Sequence, residues 1–274
     1  MPSGVDDHQR ASKASVALAL AWLALACEPT VVIGSCSEAS GMDAGQAGAS
    51  AAVSAGMVAT PWSTGFEDGL CGYHAVEGYC YARHEATLEI VRSPVRSGKF
   101  AAAFSVNGNA TMAERSQTRC VRQGAFPKSA YYGAWYLVPA VQISDGNWNL
   151  FHFLGGVPDG ETHALWDISL ANNSDGALEL AVFNFFDRRF YPATTGVPPI
   201  PIGSWFHIEI QLKRSAQANG EVIVYQDGVP ALHLTNLITD DTEWGQWYVG
   251  NYAKTLVPTL STVYVDDVTI REEP

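Results

Sequence analysis

The stretch from Gly203 to Gly228, GSWFHIEIQLKRSAQANGEVIVYQDG, decides the fold class of this chain. Its first half alternates strictly, so that one face carries Phe206, Ile208, Ile210 and Leu212. A period of two residues is typical of a half-buried β-strand. Asp227-Gly228 follows the second run, EVIVYQ, and predicts a tight hairpin because Gly accepts a positive φ. The stretch therefore predicts consecutive antiparallel strands.

The same pattern continues on both sides of this stretch, from Trp62 to the end of the chain. Short runs rich in aromatic and β-branched residues alternate with clusters of Gly, Pro, Asn and Asp, and no run has a helical period over three turns. The runs are Phe100–Val106, Tyr131–Val138, Trp148–Leu154, Leu165–Ala171, Leu178–Phe186, Trp205–Leu212, Glu221–Gln226, Trp247–Tyr252 and Thr262–Ile270. We predict an all-β domain over residues 61–274, a two-sheet antiparallel jelly-roll sandwich.

The N-terminus has the pattern of an export signal. Arg10 and Lys13 precede the apolar run Val16–Ala26, which is too short to span a bilayer, so residues 1–26 are predicted to be a signal peptide. Cys27 follows an A-x-A cleavage site, and this order resembles a bacterial lipoprotein signal, which implies lipidation of Cys27; Cys36 is the alternative position. We expect a lipoprotein of the bacterial outer surface or periplasm, or a secreted protein.

Residues 27–60 form a second N-terminal segment, rich in Ala, Gly and Ser after Ser37 and without aromatic residues there. Such a composition cannot bury enough surface to offset the entropy of ordering, so we predict a flexible linker. Beyond the N-terminus no apolar run is long enough to cross a bilayer. Membrane contact is therefore expected only through the lipid anchor.

The charge of the chain limits its partners. Its formal net charge is −12, which repels polyanions at long range and excludes nucleic acid as a partner. For the same reason we expect a carbohydrate polymer, if one binds, to be neutral or weakly charged, although a local basic groove would override this.

Three cysteines, Cys71, Cys80 and Cys120, fall inside the predicted domain. An exported protein favours one disulfide among them, and Cys71–Cys80 closes the shortest loop, with Cys80–Cys120 left open.

Residues Gly203–Gly228, with Phe66–Gly69 (FEDG) and Thr262–Ile270 (TVYVDDVTI), resemble concanavalin-A-like jelly rolls, which include laminin-G-like, glucanase and polysaccharide-lyase-like domains. The resemblance implies that the first and last strands lie side by side and that their acidic residues hold a structural Ca²⁺. Glu67 and Asp267 are the candidate ligands, since alternation turns only one of Asp266 and Asp267 inward.

The resemblance to lyases of this fold also implies catalytic roles. A lyase needs a base, an acid and a group that neutralises the uronate carboxylate. The corresponding candidates are His152 as base, Tyr252 as acid, and Arg119 or Arg122 as neutraliser.

A binding module needs only aromatic and amide side chains on one sheet. The candidates are Trp135, Trp148, Asn149, Trp166, Asn184 and Trp247. No closely spaced pair of acids resembles the active site of a retaining glycosidase, which disfavours a hydrolase. The main interpretation is a carbohydrate-binding domain; the alternatives are a polysaccharide lyase that acts on a uronic-acid polymer, and a surface scaffold.

Overall fold

The computed structural model describes residues 57–74, 78–109, 115–144, 148–157 and 160–273. Within them the chain is almost entirely β-structure, with one helical turn, α1 (Cys71–His74). The strands are β1 (Trp62–Thr64), β2 (Gly78–Arg83), β3 (Thr87–Val91), β4 (Ala101–Asn107), β5 (Ser116–Ala125), β6 (Ser129–Leu137), β7 (Ile143–Ser144), β8 (Trp148–Gly156), β9 (Thr162–Asn172), β10 (Leu178–Asn184), β11 (Arg189–Pro192), β12 (Trp205–Lys213), β13 (Gly220–Gln226), β14 (Val229–Leu237), β15 (Trp244–Ala253), β16 (Leu256–Val257) and β17 (Leu260–Glu272).

Two large antiparallel sheets pack face to face in this part of the chain. One, here called the outer sheet, has the order β14-β13-β12-β6-β17-β4-β3, with β1 also paired to β17. The other, here called the cleft sheet, has the order β11-β10-β9-β8-β15-β5-β2. This is the predicted two-sheet sandwich, and β8 occupies the middle of the cleft sheet.

The stretch that decided the fold class forms β12, β13 and β14 at one edge of the outer sheet. The predicted inward face is confirmed, because Phe206, Ile208, Ile210 and Leu212 are each at most 3% exposed. Gln226 pairs with Val229, so Asp227 and Gly228 form a two-residue turn, and both have positive φ (50° and 77°). That is the turn whose twist matches the strands it joins.

The first and last strands lie side by side, as the resemblance implied. Trp62 pairs with Ile270 and Thr64 with Val268. β17 also pairs with β4 on one side and β6 on the other, so the C-terminal strand is central to the outer sheet.

The core between the sheets is aromatic. Trp247 packs edge-to-face against Tyr132, Phe151 and, in a stacked arrangement, Phe153, with ring centroids 5.2, 5.2 and 6.4 Å away. Such pairs add about 0.5–1.5 kcal/mol each beyond the area they bury. Tyr136 satisfies its buried hydroxyl by donating to the Leu150 carbonyl oxygen at 3.0 Å.

The disulfide differs from the predicted Cys71–Cys80 pair, which is wrong. Cys80 on β2 is bonded to Cys120 on β5, and the two are register partners with Cα atoms 4.0 Å apart. The shortest loop in sequence does not decide the pairing, because strand pairing brings Cys120 directly opposite Cys80.

The predicted signal peptide, the lipidation site Cys27 and the linker up to residue 56 lie outside the described residues. Among those that are described, no helix has the length and apolar character needed to cross a membrane.

Candidate active site

One row of side chains crosses the outward face of the cleft sheet at right angles to its strands. Pairing places Phe190 opposite Phe183, Phe183 opposite Asp167, Asp167 opposite His152, and His152 opposite Tyr248. Alternation explains why the row faces outward, since the neighbours of Asp167 on β9, Trp166 and Ile168, are buried in the core.

A second row lies beside the first, toward the other end of the same strands. It consists of Ser169, Asn149 and Tyr252, which are consecutive cross-strand partners. The strands are irregular here: register shifts occur between Asn149 and Phe151 on β8 and between Val249 and Tyr252 on β15. β-Bulges of this kind re-aim side chains and are frequent next to active sites.

His152 is held by a carboxylate. Its Nδ1 atom forms a hydrogen bond to Asp167 Oδ1, and the two side chains are only 12% and 10% exposed. The His152 ring also meets the Tyr248 ring edge-on at 5.5 Å and the Phe185 ring at 6.0 Å. A carboxylate at Nδ1 fixes the proton there and leaves Nε2 as the basic nitrogen.

The two tyrosines of β15 that share this face have different environments. Tyr248 is 6% exposed, and burial raises the pKa of its phenol above the ordinary value. Its hydroxyl donates to Gln246 Oε1. Tyr252 is half-buried, and its hydroxyl oxygen accepts a hydrogen bond from Arg115 Nη1 at 3.2 Å.

Arginines surround Tyr252. Arg119 places its guanidinium carbon 4.1 Å from the centre of the Tyr252 ring and 5.1 Å from that of Tyr248. The Arg115 guanidinium lies 5.2 Å from the Tyr252 ring. Cation–π contacts of this kind hold positive charge over an aromatic face. Positive charge is therefore concentrated next to the second row.

A cleft of about 730 Å³ opens on this face, and Asn149 contributes its side chain to the wall. Asn149 is 3% exposed; its Oδ1 accepts from the Ser169 hydroxyl at 2.9 Å, while its Nδ2 donor has no partner within the described residues. A buried donor without a partner costs about 1–3 kcal/mol, so Asn149 is a candidate to donate a hydrogen bond to a bound group. The opposite wall is apolar, formed by Phe183, Phe185 and Phe190.

The structure brings four of the predicted site residues together on this face: His152, Tyr252, Arg119 and Asn149. It places Arg122 and Asn184 elsewhere. Arg122 is 1% exposed on the inner face, with its guanidinium 4.7 Å from the Trp62 ring. Asn184 is 1% exposed and accepts a hydrogen bond from the Phe186 N–H in a turn. Neither faces the cleft, so the roles predicted for them are wrong.

The predicted tryptophan platforms for sugar rings are also wrong in three cases. Trp148, Trp166 and Trp247 are at most 1% exposed and belong to the core. Trp148 donates from Nε1 to Asn251, and Trp166 to the Thr239 carbonyl oxygen. Trp135 lies on the other sheet, between the Arg96 guanidinium at 4.1 Å and the His207 ring at 5.2 Å, away from the cleft.

The two predicted calcium ligands both bind the loop that precedes β4. Glu67 Oε1 accepts from the Lys99 and Phe100 N–H groups, and Asp267 Oδ1 accepts from the Ser97 hydroxyl. The second oxygen of each carboxylate makes no hydrogen bond within the described residues. No group of three or more His, Cys, Asp or Glu side chains in that part of the chain is arranged to hold a metal.

Four residues of the site escaped the sequence analysis: Asp167, Arg115, Phe183 and Phe190. Asp167 left a signal, as the one acid between apolar residues in LWDISL. Its partnership with His152 depends on the pairing of β8 with β9. The phenylalanines carried no signal that separates them from core residues.

Comparison with known proteins identifies a family. The family described as Polysaccharide lyase matches residues 60–269. No curated protein matches the chain in sequence. The match contradicts the main interpretation drawn from the sequence, a non-catalytic carbohydrate-binding domain, and supports the alternative of a lyase. It also supports a carbohydrate polymer as partner.

Solved structures agree on the fold. The endo-β-1,4-glucuronan lyase of the fungus Trichoderma reesei is similar over 71% of this chain and 90% of its own, with 18% identity and a TM-score of 0.57. The cellulose-induced protein Cip1 covers 77% of this chain and 97% of its own, with 14% identity and a TM-score of 0.54. The marine alginate lyase of Aplysia kurodai covers 78% of this chain and 100% of its own, with 12% identity and a TM-score of 0.52.

Proposed function

We propose, on the premise that this chain belongs to the Polysaccharide lyase family, that it cleaves a uronate-containing polysaccharide by β-elimination. The observation that carries the proposal is that a carboxylate-held histidine, a tyrosine and arginines lie together on the outward face of the cleft sheet. His152 and Tyr252 come from adjacent strands and occupy neighbouring rows. Related structures whose names include glucuronan lyase and alginate lyase support the choice of a uronate.

The reaction needs three groups. A base takes the proton from C5 of the uronate, and the electron pair forms the C4–C5 double bond. The bond from C4 to the glycosidic oxygen breaks, and an acid protonates that oxygen. A donor or cation on the carboxylate stabilises the charge that develops when the C5 proton leaves.

His152 is proposed as the base. Because Asp167 accepts the hydrogen bond at Nδ1, the Nε2 lone pair is available for the C5 proton. Asp167 then stabilises the imidazolium that forms, so it acts as a positioning residue for His152.

Tyr252 is proposed as the acid. Its oxygen accepts from Arg115, so its own hydroxyl proton remains free to be donated to the leaving oxygen. The Tyr248 hydroxyl already donates a hydrogen bond to Gln246, and its side chain is more deeply buried than that of Tyr252. Both features disfavour Tyr248 as the acid.

The substrate carboxylate is assigned to Asn149 and the nearby arginines. Asn149 lines the cleft one row from His152 and its Nδ2 has no hydrogen-bond partner within the described residues, and Arg119 adds positive charge beside Tyr252. The net charge of −12 opposes a dense polyanion at long range, so we propose a polymer of low uronate density.

The test is incubation of the purified protein with a panel of uronic and neutral polysaccharides, followed by the ultraviolet absorbance of unsaturated uronide ends. The proposal expects absorbance to rise with at least one uronic polymer and with no neutral one. Saturated products, or no cleavage of any uronic polymer, would overturn it.

Export and lipidation at Cys27 are proposed from the sequence pattern alone. The test is incorporation of labelled fatty acid, which Cys27→Ser should abolish and Cys36→Ser should leave intact. The reverse result would move the lipid to Cys36.

Structural Ca²⁺ at Glu67 and Asp267 is likewise a proposal. The free second oxygens of the two carboxylates could serve as ligands, since Ca²⁺ prefers oxygen. We expect Ca²⁺ to raise the melting temperature of the native protein and not that of Glu67→Gln. An equal melting temperature with Ca²⁺ and with chelator would show that protein hydrogen bonds alone hold the loop.

A further inference from the structure

The cleft sheet differs chemically on the two sides of His152. Resting on the proposed lyase activity, we infer that the substrate is a mixed polymer, in which a uronate occupies one side and an uncharged sugar with an apolar face occupies the other. β8 divides the sheet: β15, β5 and β2 lie on one side, and β9, β10 and β11 on the other.

The first side, here called the arginine side, carries Arg119, Tyr79, Tyr81 and Arg83. Tyr79 and Tyr81 stack at 5.9 Å, and Tyr79 is 38% exposed. The Arg83 guanidinium lies 4.9 Å from the Tyr81 ring, and Arg119 also interacts with Tyr81. Guanidinium groups are suited to bind carboxylates because they offer paired donors in one plane. This side is therefore able to bind a charged unit.

The second side, here called the phenylalanine side, consists of Phe183, Phe185 and Phe190. Phe183 and Phe185 meet edge-on at 4.8 Å, and Phe190, opposite Phe183, is 42% exposed. Three clustered phenylalanines at a solvent-filled cleft form a surface on which the apolar face of a sugar ring can stack. They offer no hydrogen bond to a carboxylate.

Charges on the phenylalanine side disfavour a second uronate. Asp167 and Glu179 both lie on its outward face, by the alternation of β9 and β10. The nearby Arg189 turns to the opposite face, where its guanidinium lies 5.5 Å from the Tyr191 ring. Arg115, which also lines the cleft, is bonded to Tyr252 at the row of Asn149. A carboxylate placed beside Phe190 would meet repulsion from these two acids.

The phenylalanine side is wide enough to contact sugar units beyond the scissile bond. β8 and β11 are three strand steps apart, which is about 14 Å. The phenylalanine side can therefore select the units next to the cleaved bond, and not only cover the catalytic histidine.

The first arm of the test compares polymers. For wild-type protein, kcat/KM is measured on glucuronan and polymannuronate, which are uronic homopolymers, and on hyaluronan and gellan, in which uronates are separated by uncharged sugars. We expect at least one mixed polymer to exceed both homopolymers by about tenfold or more, which corresponds to about 1.4 kcal/mol. A preference for a homopolymer would overturn this inference and leave the lyase proposal standing; no unsaturated product from any polymer would overturn both.

The second arm uses variants at exposed positions. Phe190→Ala should lower kcat/KM on the mixed polymer about tenfold, and Phe190→Lys should lower it further while raising cleavage of polymannuronate severalfold. Tyr79→Ala, an equally exposed aromatic on the arginine side, is the matched control and should lower activity on both classes alike. Equal effects of Phe190→Lys on both classes would contradict the division of the cleft.

Discussion

The bond between His152 and Asp167 joins two residues that lie on neighbouring strands and face the same side of the sheet. Their separation in sequence corresponds to no catalytic motif, and each looks like a lone polar residue among apolar neighbours. Alternation along one strand predicts that such a residue faces outward, but not which residue of the next strand lies opposite. His152 was a candidate through the resemblance to lyases of this fold, whereas Asp167 as its partner was not predictable.

The first prediction concerns this pair. Asp167→Asn removes the charge that stabilises the imidazolium while it keeps the size of the side chain. We expect kcat to fall about 10- to 100-fold with KM within about twofold, since the effect is confined to proton transfer. Asp175→Asn, the same change at an exposed acid just after β9, is the control. A rise in KM with unchanged kcat would show that Asp167 only binds substrate.

The second prediction separates the two tyrosines. Tyr252→Phe and Tyr248→Phe each remove one hydroxyl from the same strand. Because the Tyr252 hydroxyl accepts from Arg115 while the Tyr248 hydroxyl donates to Gln246, we expect the Tyr252 variant to lose at least about 100-fold in kcat. Tyr248→Phe should lose less than about tenfold. The opposite order would make Tyr248 the acid.

At the scale of the element, the inward face was predictable for strands with one solvent-facing side and was not predictable for several strands of the cleft sheet. β12 reads directly from the period of two in FHIEIQL, because one of its faces is wet. β15 is buried along almost its whole length, so its sequence does not separate Trp247 in the core from Tyr248 on the cleft face. The same ambiguity affects Arg119 and Arg122 on β5. Whether an aromatic or basic residue faces the core or the cleft depends on the order of strands in the sheet. The sequence of a single strand does not reveal that order.

The third prediction concerns the edge strand β2, which carries Tyr79, Tyr81 and Arg83 and is tied to β5 by Cys80–Cys120. The disulfide joins residues 40 positions apart in sequence. For a loop of this length, the lost entropy of the unfolded chain stabilises the fold by at most about 4 kcal/mol. The double variant Cys80→Ser with Cys120→Ser should lower the free energy of unfolding by roughly 2–4 kcal/mol in denaturant titrations. Its kcat/KM should fall alike on homopolymers and mixed polymers, because both place a uronate on the arginine side, which loosens. Unchanged stability would show that strand pairing alone holds β2.

At the scale of the whole molecule, net charge and local charge oppose each other. The chain carries −12 overall, yet arginines concentrate beside Tyr252. The long-range repulsion is a prediction from the sequence alone, because a sum of charges needs no structure. The local concentration depends on β5 and β15 being neighbours, which only the fold provides.

The fourth prediction follows from the different distances over which the net charge and the local arginines act. The Debye length falls from about 30 Å at 0.01 M to about 10 Å at 0.1 M salt, so long-range repulsion is screened before close arginine contacts are. We expect kcat/KM on polymannuronate to rise about two- to fivefold over this range, while that on gellan changes little. A steep fall with salt would show that the local arginines dominate the approach of substrate.

The chemical structure of the product is the most direct test of β-elimination by His152. Mass spectrometry of the fragments released from a uronic polymer distinguishes an unsaturated uronide from a hydrolysis product, which is heavier by one water. We predict unsaturated fragments from the wild-type protein and none from His152→Ala prepared in the same way. Hydrolysis products from the wild-type protein would show that the reaction is not a β-elimination. Unsaturated fragments that persist in His152→Ala would show that His152 is not the base.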